Sequence, residues 1–127
     1  AMKTSSAKAK GRNLQNAVRD LIVAILPDRL KCQARAALMG ETGADIKIVG
    51  EARDYFPYSV ECKNQERLNL WASWDQTTHN AGKEKLSPLL FIKKNRTEIL
   101  AVMKATEFFD MLNQIEVKNV SNTSSHS

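Results

Sequence analysis

The chain has 127 residues, the length of one domain, and its 43% hydrophobic and 26% charged residues, with five Gly and three Pro, exclude collagen-like, mucin-like and wholly disordered chains. Nineteen Lys and Arg against 14 Asp and Glu leave a net charge of +5, which favours a polyanionic partner without requiring one. No apolar run approaches the ~18 residues of a membrane span and no secretory apolar segment opens the chain, so a soluble, cytoplasmic protein with no membrane partner is expected. Cys32 and Cys62 are too few for a disulfide framework, and with His79 and His126 they form no zinc-ligand spacing, so reduced thiols and no structural metal are expected. Ala1, ahead of Met2, reads as an expression scar.

In chain order, residues 1–10 mix Ser, Ala and Lys without apolar periodicity and read as a disordered basic tail. The working domain is expected over 11–117. Leu14, Ala17, Val18, Leu21, Ile22, Ile25 and Leu26 recur on one helical face and predict an amphipathic helix from Arg12 to Leu26, ended by Pro27. Cys32 to Met39 reads either as a strand or as a helical turn. Asp45 to Val49 alternates, with Ile46 and Ile48 on one face and Asp45 and Lys47 on the other, the period of a strand. Glu51 to Phe56 reads as a helical turn closed by Pro57. Tyr58 to Lys63 alternates again, placing Tyr58, Val60 and Cys62 opposite Ser59, Glu61 and Lys63.

Leu68 to Asn80 predicts a second helix with Leu68, Trp71, Ala72 and Asp75 in register and Trp71 packed in the core. Pro88 to Lys93 and Ile99 to Met103 read as strands joined by the polar turn Lys94-Asn95-Arg96. Thr106 to Leu112 reads as a closing helix with Thr106 as its N-cap, and residues 118–127 as a disordered polar tail. This order implies an α/β domain with a mixed sheet.

Glu61 and Lys63, two apart on a strand, emerge on one face about 7 Å apart, with Cys62 turned to the core. If the neighbouring strand brings Asp45 near Glu61, two carboxylates converge beside an ammonium. Carboxylate and carbonyl oxygens suit a hard cation such as Mg²⁺, which needs one or two protein carboxylates together with water and substrate phosphate. Such a cation acidifies water and neutralises phosphate charge, which is the chemistry of metal-assisted phosphodiester hydrolysis.

Gly43-Ala44-Asp45-Ile46, then Val60-Glu61-Cys62-Lys63, following Lys10-Gly11 and an amphipathic helix, resembles the PD-(D/E)XK nuclease superfamily, within it the archaeal Holliday-junction resolvases and small phage relatives. The resemblance covers about Lys10 to Lys94. It implies a restriction-endonuclease-like core, a central mixed sheet flanked by helices. It also implies that Asp45, Glu61 and Lys63 are catalytic, that Asp45, Glu61 and the main-chain carbonyl of Cys62 hold Mg²⁺, for which Mn²⁺ substitutes, and that Lys63 assists the attacking water. The archaeal resolvases carry a Glu on the first helix where this chain has Gln15, so either fewer carboxylates hold the metal or Glu41 lends one from the glycine-bearing loop.

Gln65 is a further auxiliary candidate beside the catalytic strand. Lys10, Arg12, Lys93, Lys94 and Arg96 are candidates for phosphate contact, and Trp74 could sit at a dimer interface or stack on an unpaired base. The expected activity is Mg²⁺-dependent endonucleolytic hydrolysis of branched DNA by a homodimer, since one small domain supplies one site and resolving a junction takes two cuts. The alternatives are a phage or mobile-element nuclease acting on flap, nicked or specific duplex DNA, and a non-catalytic DNA-binding relative.

Overall fold

A computed structural model describes residues 2–125 and the side chains of residues 6–115. Ala1, His126 and Ser127, at the ends of the two expected tails, lie outside the described residues.

Leu14, Val18 and Ile22 are spaced for one face of a helix and are all buried. They belong to α1, which spans Met2–Ala24 and so begins well ahead of the predicted Arg12. Residues 2–10, read as a tail, continue this helix. Ala and Lys favour helix, and Gly11 is the one Gly or Pro in the stretch before Pro27 stops the run. The end of α1 is closed by Lys31, whose Nζ donates to the carbonyls of Val23 at 2.8 Å and Leu26 at 2.9 Å.

A 3-10 turn at Asp28–Gln33 leads into the short strand β1, Ala34–Ala36, so the Cys32–Met39 segment is divided between turn and strand. Strand β2 (Ile46–Ile48), the single-turn helix α2 (Ala52–Tyr55) and strand β3 (Tyr58–Asn64) follow. Helix α3 (Leu70–Glu84) connects β3 to strand β4 (Ser87–Lys93). Strand β5 is Leu100–Val102, and helix α4 covers Ala105–Ser125. No Gly or Pro interrupts α4, so it runs on from the predicted stop at Leu112 through most of the segment read as a tail, and Thr106 lies inside its first turn.

The sheet has five strands in the order β1-β2-β3-β4-β5. Neighbours are antiparallel except β3 and β4, which run parallel across the α3 crossover. This is an α/β fold with a mixed sheet flanked by helices, of the kind expected.

Period-2 alternation divides β3 between two environments. Val60 and Cys62 join Leu14, Val18, Ile22, Ile46 and Ile48 in the core beneath α1. Ser59 and Glu61 point to the opposite side, where α3 lies. The face of α3 that meets the sheet is not the predicted one. Ser73, Thr77 and Ala81 are its buried residues, while Trp71 is 74% exposed. Periodicity gives most weight to the largest apolar side chain, whereas a helix lying over a parallel strand pair approaches closely only through small residues. Among the described residues no helix is long and apolar enough to cross a membrane.

Candidate active site

Strands β2 and β3 pair only briefly, at Ile46 opposite Val60, with the backbone N–H of Asp45 donating to the Val60 carbonyl at 2.8 Å. Beyond that point the ladder is continued by a side chain: the Cys62 N–H donates to Asp45 Oδ2 at 2.7 Å. Asp45 is thereby fixed at the place where β2 leaves β3, next to Glu61. The two carboxylates are close enough for the charge of Asp45 to act on Glu61.

Glu61 is only 3% exposed, and Asn80 Nδ2 of α3 donates to its Oε1. Burial first, and the neighbouring charge of Asp45 second, raise Glu61 to about 7, against the opposing pull of the Asn80 hydrogen bond and the Lys63 charge. The pair therefore lacks positive charge, a deficit that either a shared proton or a cation can fill. Lys63, next on the same side of β3, is half-buried and contributes part of that charge. The Cys62 thiol lies in the core, and burial pushes it far above the ordinary thiol range, so it is an unreactive packing group and only its backbone is available to the site.

A cleft of about 300 Å³ opens at Asp45 and is lined by Lys8, Gly11, Arg12 and Gln15 of α1 and by the loop from Ala37 to Glu41. Gln15 thus faces the same space as Asp45. Glu41 lines it too, but its carboxylate is gripped by Arg35 through bonds of 2.9 and 2.8 Å and accepts the Leu38 N–H at 2.7 Å. The Arg35 hydrogen bonds, with that backbone N–H, hold Glu41 down at about 2. Its lone pairs are largely committed to shaping the loop. Gln65 lies elsewhere, in a second cleft with Glu66, Lys93 and Lys94.

The candidate basic residues gather at one end of the sheet. Asn64, the last residue of β3, pairs with Lys93 and donates its side-chain Nδ2 to the Lys10 carbonyl at 3.2 Å, joining α1 to the end of β3 and β4. Arg12 follows on α1, and Lys94 and Arg96 form the exposed turn after β4, where Arg96 takes the left-handed conformation with φ of 61°. Sequence reasoning missed two members of this constellation. Asn80 was hidden by the mis-phased face of the second helix, and its one sequence signal is a polar residue three positions beyond Thr77, which is fully buried. Arg35, the partner of Glu41, carries no local signal.

Residues 6–126 match the family described as "Phage putative PDDEXK endonuclease". The chain belongs to that family. No curated protein and no solved structure matches the chain. Membership brings nuclease chemistry on DNA as the coarse reading of this PDDEXK chain, and a divalent metal as the cofactor typical of such enzymes. The donor set fits such an ion of the hard kind. Two adjacent carboxylates are deficient in positive charge and one of them, Asp45, opens onto the cleft that also holds Gln15, while no cluster of three or more His, Cys, Asp or Glu exists among the described residues. Soft or fully protein-caged ions need more ligands than this, whereas Mg²⁺ is held by one or two carboxylates and completes its shell with water and phosphate.

Proposed function

We propose that this PDDEXK protein is a Mg²⁺-dependent endonuclease of branched DNA, acting as a homodimer, with Mn²⁺ able to replace Mg²⁺. The observation that carries the reading is the convergence of Asp45 and Glu61 at the parting of β2 and β3, beside Lys63 and an open cleft into which Lys8 and Arg12 of α1 also face. When bound, the cation supplies acidification of water and neutralisation of phosphate charge. Asp45 and Glu61 would hold it, with the Cys62 carbonyl as a further oxygen ligand. Lys63 aligns the attacking water and, as a cation, stabilises the hydroxide that forms as the water's proton passes to a phosphate oxygen or to solvent. Gln15 orients a water or a phosphate oxygen from the α1 side of the cleft. Lys10, Arg12, Lys93, Lys94 and Arg96 hold the backbone by charge, which fixes register and shape rather than base sequence.

The phage family supports a second reading equally well, in which the same site cuts flap, nicked or specific duplex DNA. Incubation with Mg²⁺ and a matched panel of four-way junction, flap, nicked duplex, single strand and linear duplex separates the two. Preferential symmetric cutting of the junction is expected, and preference for a defined linear site would replace the first reading by the second. Asp45→Asn, Glu61→Gln and Lys63→Ala should each abolish cutting while leaving fold and DNA binding largely intact. Full activity in Asp45→Asn would end the metal-site assignment, and binding without cutting by the wild type would leave a non-catalytic DNA-binding protein.

A further inference from the structure

Glu61 lies under α3, so its carboxylate must be met from that helix, because a buried polar group without a partner costs about 1–3 kcal/mol. Of the α3 residues over the sheet, Thr77 has its hydroxyl committed to the Ser73 carbonyl at 2.8 Å, and Ala81 has no side-chain polar atom. Asn80 is the residue that reaches Glu61, its amide donating to Oε1. On the other side, the Cys62 N–H holds Oδ2 of Asp45. Each acid therefore has one oxygen fixed by a donor of the chain, and among the described hydrogen bonds the second oxygen of each has no such donor.

We infer that Asn80 is a positioning residue for the acidic pair: by anchoring Glu61 Oε1 it turns the remaining oxygen of Glu61 toward the free oxygen of Asp45, so that both are presented to one divalent cation. The inference rests on the metal-dependent reading above. The anchor must be a neutral donor at this place. A cation would neutralise Glu61 and compete with the metal, and a carboxylate would add repulsion to a pair that already has too much negative charge. Asparagine supplies the donor with no net charge. Its short side chain leaves little freedom of position once α3 is docked through Ser73, Thr77 and Ala81.

The test is Mn²⁺ binding to the DNA-free protein, followed by electron paramagnetic resonance, for wild type, the near-isosteric Asn80→Leu and the truncated Asn80→Ala. Outer partners of metal ligands typically alter affinity about 10- to 100-fold. Both variants should lose about that factor in Mn²⁺ affinity, and in cleavage they should show a raised metal requirement with KM for DNA unchanged. Asn80→Gln, which keeps the amide, should recover part of the loss. A folded Asn80→Leu or Asn80→Ala, checked by circular dichroism, that binds Mn²⁺ as tightly as wild type overturns the role of Asn80 alone. Wild-type protein that binds no Mn²⁺ overturns the metal reading itself, and the role of Asn80 with it.

Discussion

At Glu61 the fold sets a carboxylate against its own solvation. Burial and the neighbouring Asp45 move it from 4.5 to about 7, so the folded state keeps a proton that the unfolded chain releases in that interval. For an acid whose folded value is raised, the favourable contribution is complete below the unfolded value and is lost as pH rises through the folded one. Metal-free protein in EDTA should therefore be less stable at pH 8 than at pH 5 by on the order of 3 kcal/mol from this group, whereas Glu61→Gln should lack that part of the dependence. Urea denaturation at the two pH values measures it. Adding Mg²⁺ at pH 8 should raise the melting temperature of wild type and leave Glu61→Gln nearly unmoved, because a ligand stabilises only a state that binds it. A wild-type profile as flat as the variant's would show that the pair carries no excess charge. At this scale Asp45, Glu61 and Lys63 were legible because their order and spacing survive in the linear chain. Asn80 and the Arg35 grip on Glu41 were not, since each is a contact fixed by tertiary packing rather than by a pattern.

Among the elements, alternation placed β2 and β3 well, because a strand buried on both sides must still turn successive residues to opposite faces. Periodicity found α3 but turned it wrongly, since the helix rests on Ser73, Thr77 and Ala81 and leaves Trp71 to solvent. The length of α1 and α4 was underestimated for a related reason. Ahead of Leu14 no apolar stripe marks α1, and in α4 the apolar spacing that runs on to Ile115 gives way to a mostly polar stretch that marks no end. The orientation of α3 makes opposite forecasts for two positions. Thr77 is fully buried against the sheet, and Thr77→Leu forces a larger side chain into that contact, which should destabilise by about 1–3 kcal/mol and disturb the Asn80 approach to Glu61. Trp71→Ala, on the exposed side, should stay within about 0.5 kcal/mol of wild type. Chemical denaturation of both variants decides the matter, and a large loss in Trp71→Ala with none in Thr77→Leu would restore the tryptophan-inward orientation.

Across the whole molecule, the junction-cutting activity proposed above needs two cuts against one acidic pair per chain, so that activity requires a second copy to supply the second site. The surface provides a place for it. Phe108, Met111, Leu112 and Ile115 recur on one face of α4 at i, i+3, i+4 and i+7, with Phe109 beside them, and all five are exposed. Ile25 and Tyr55 line a groove with Met111 and Ile115, and Leu21 lies in the last turn of α1, just ahead of Ile25; these body residues are exposed as well. Half-exposed side chains of this size present roughly 100 Å² each, so these eight on two copies offer on the order of 1,500 Å², the area of a stable specific interface. Two-fold pairing through α4 would match the stripe with itself, and none of these eight residues lines the Asp45 cleft. Sedimentation equilibrium at micromolar concentration should accordingly give a dimer for wild type and a folded monomer for Leu112→Glu or Phe108→Glu. Charges placed on an exposed stripe disrupt pairing without entering a core. In the dimer the two cuts on one junction should be coupled within a single encounter, and in the monomeric variants they should become independent nicks. A wild type that sediments as a monomer, or a Leu112→Glu protein that still dimerises, would remove α4 as the interface.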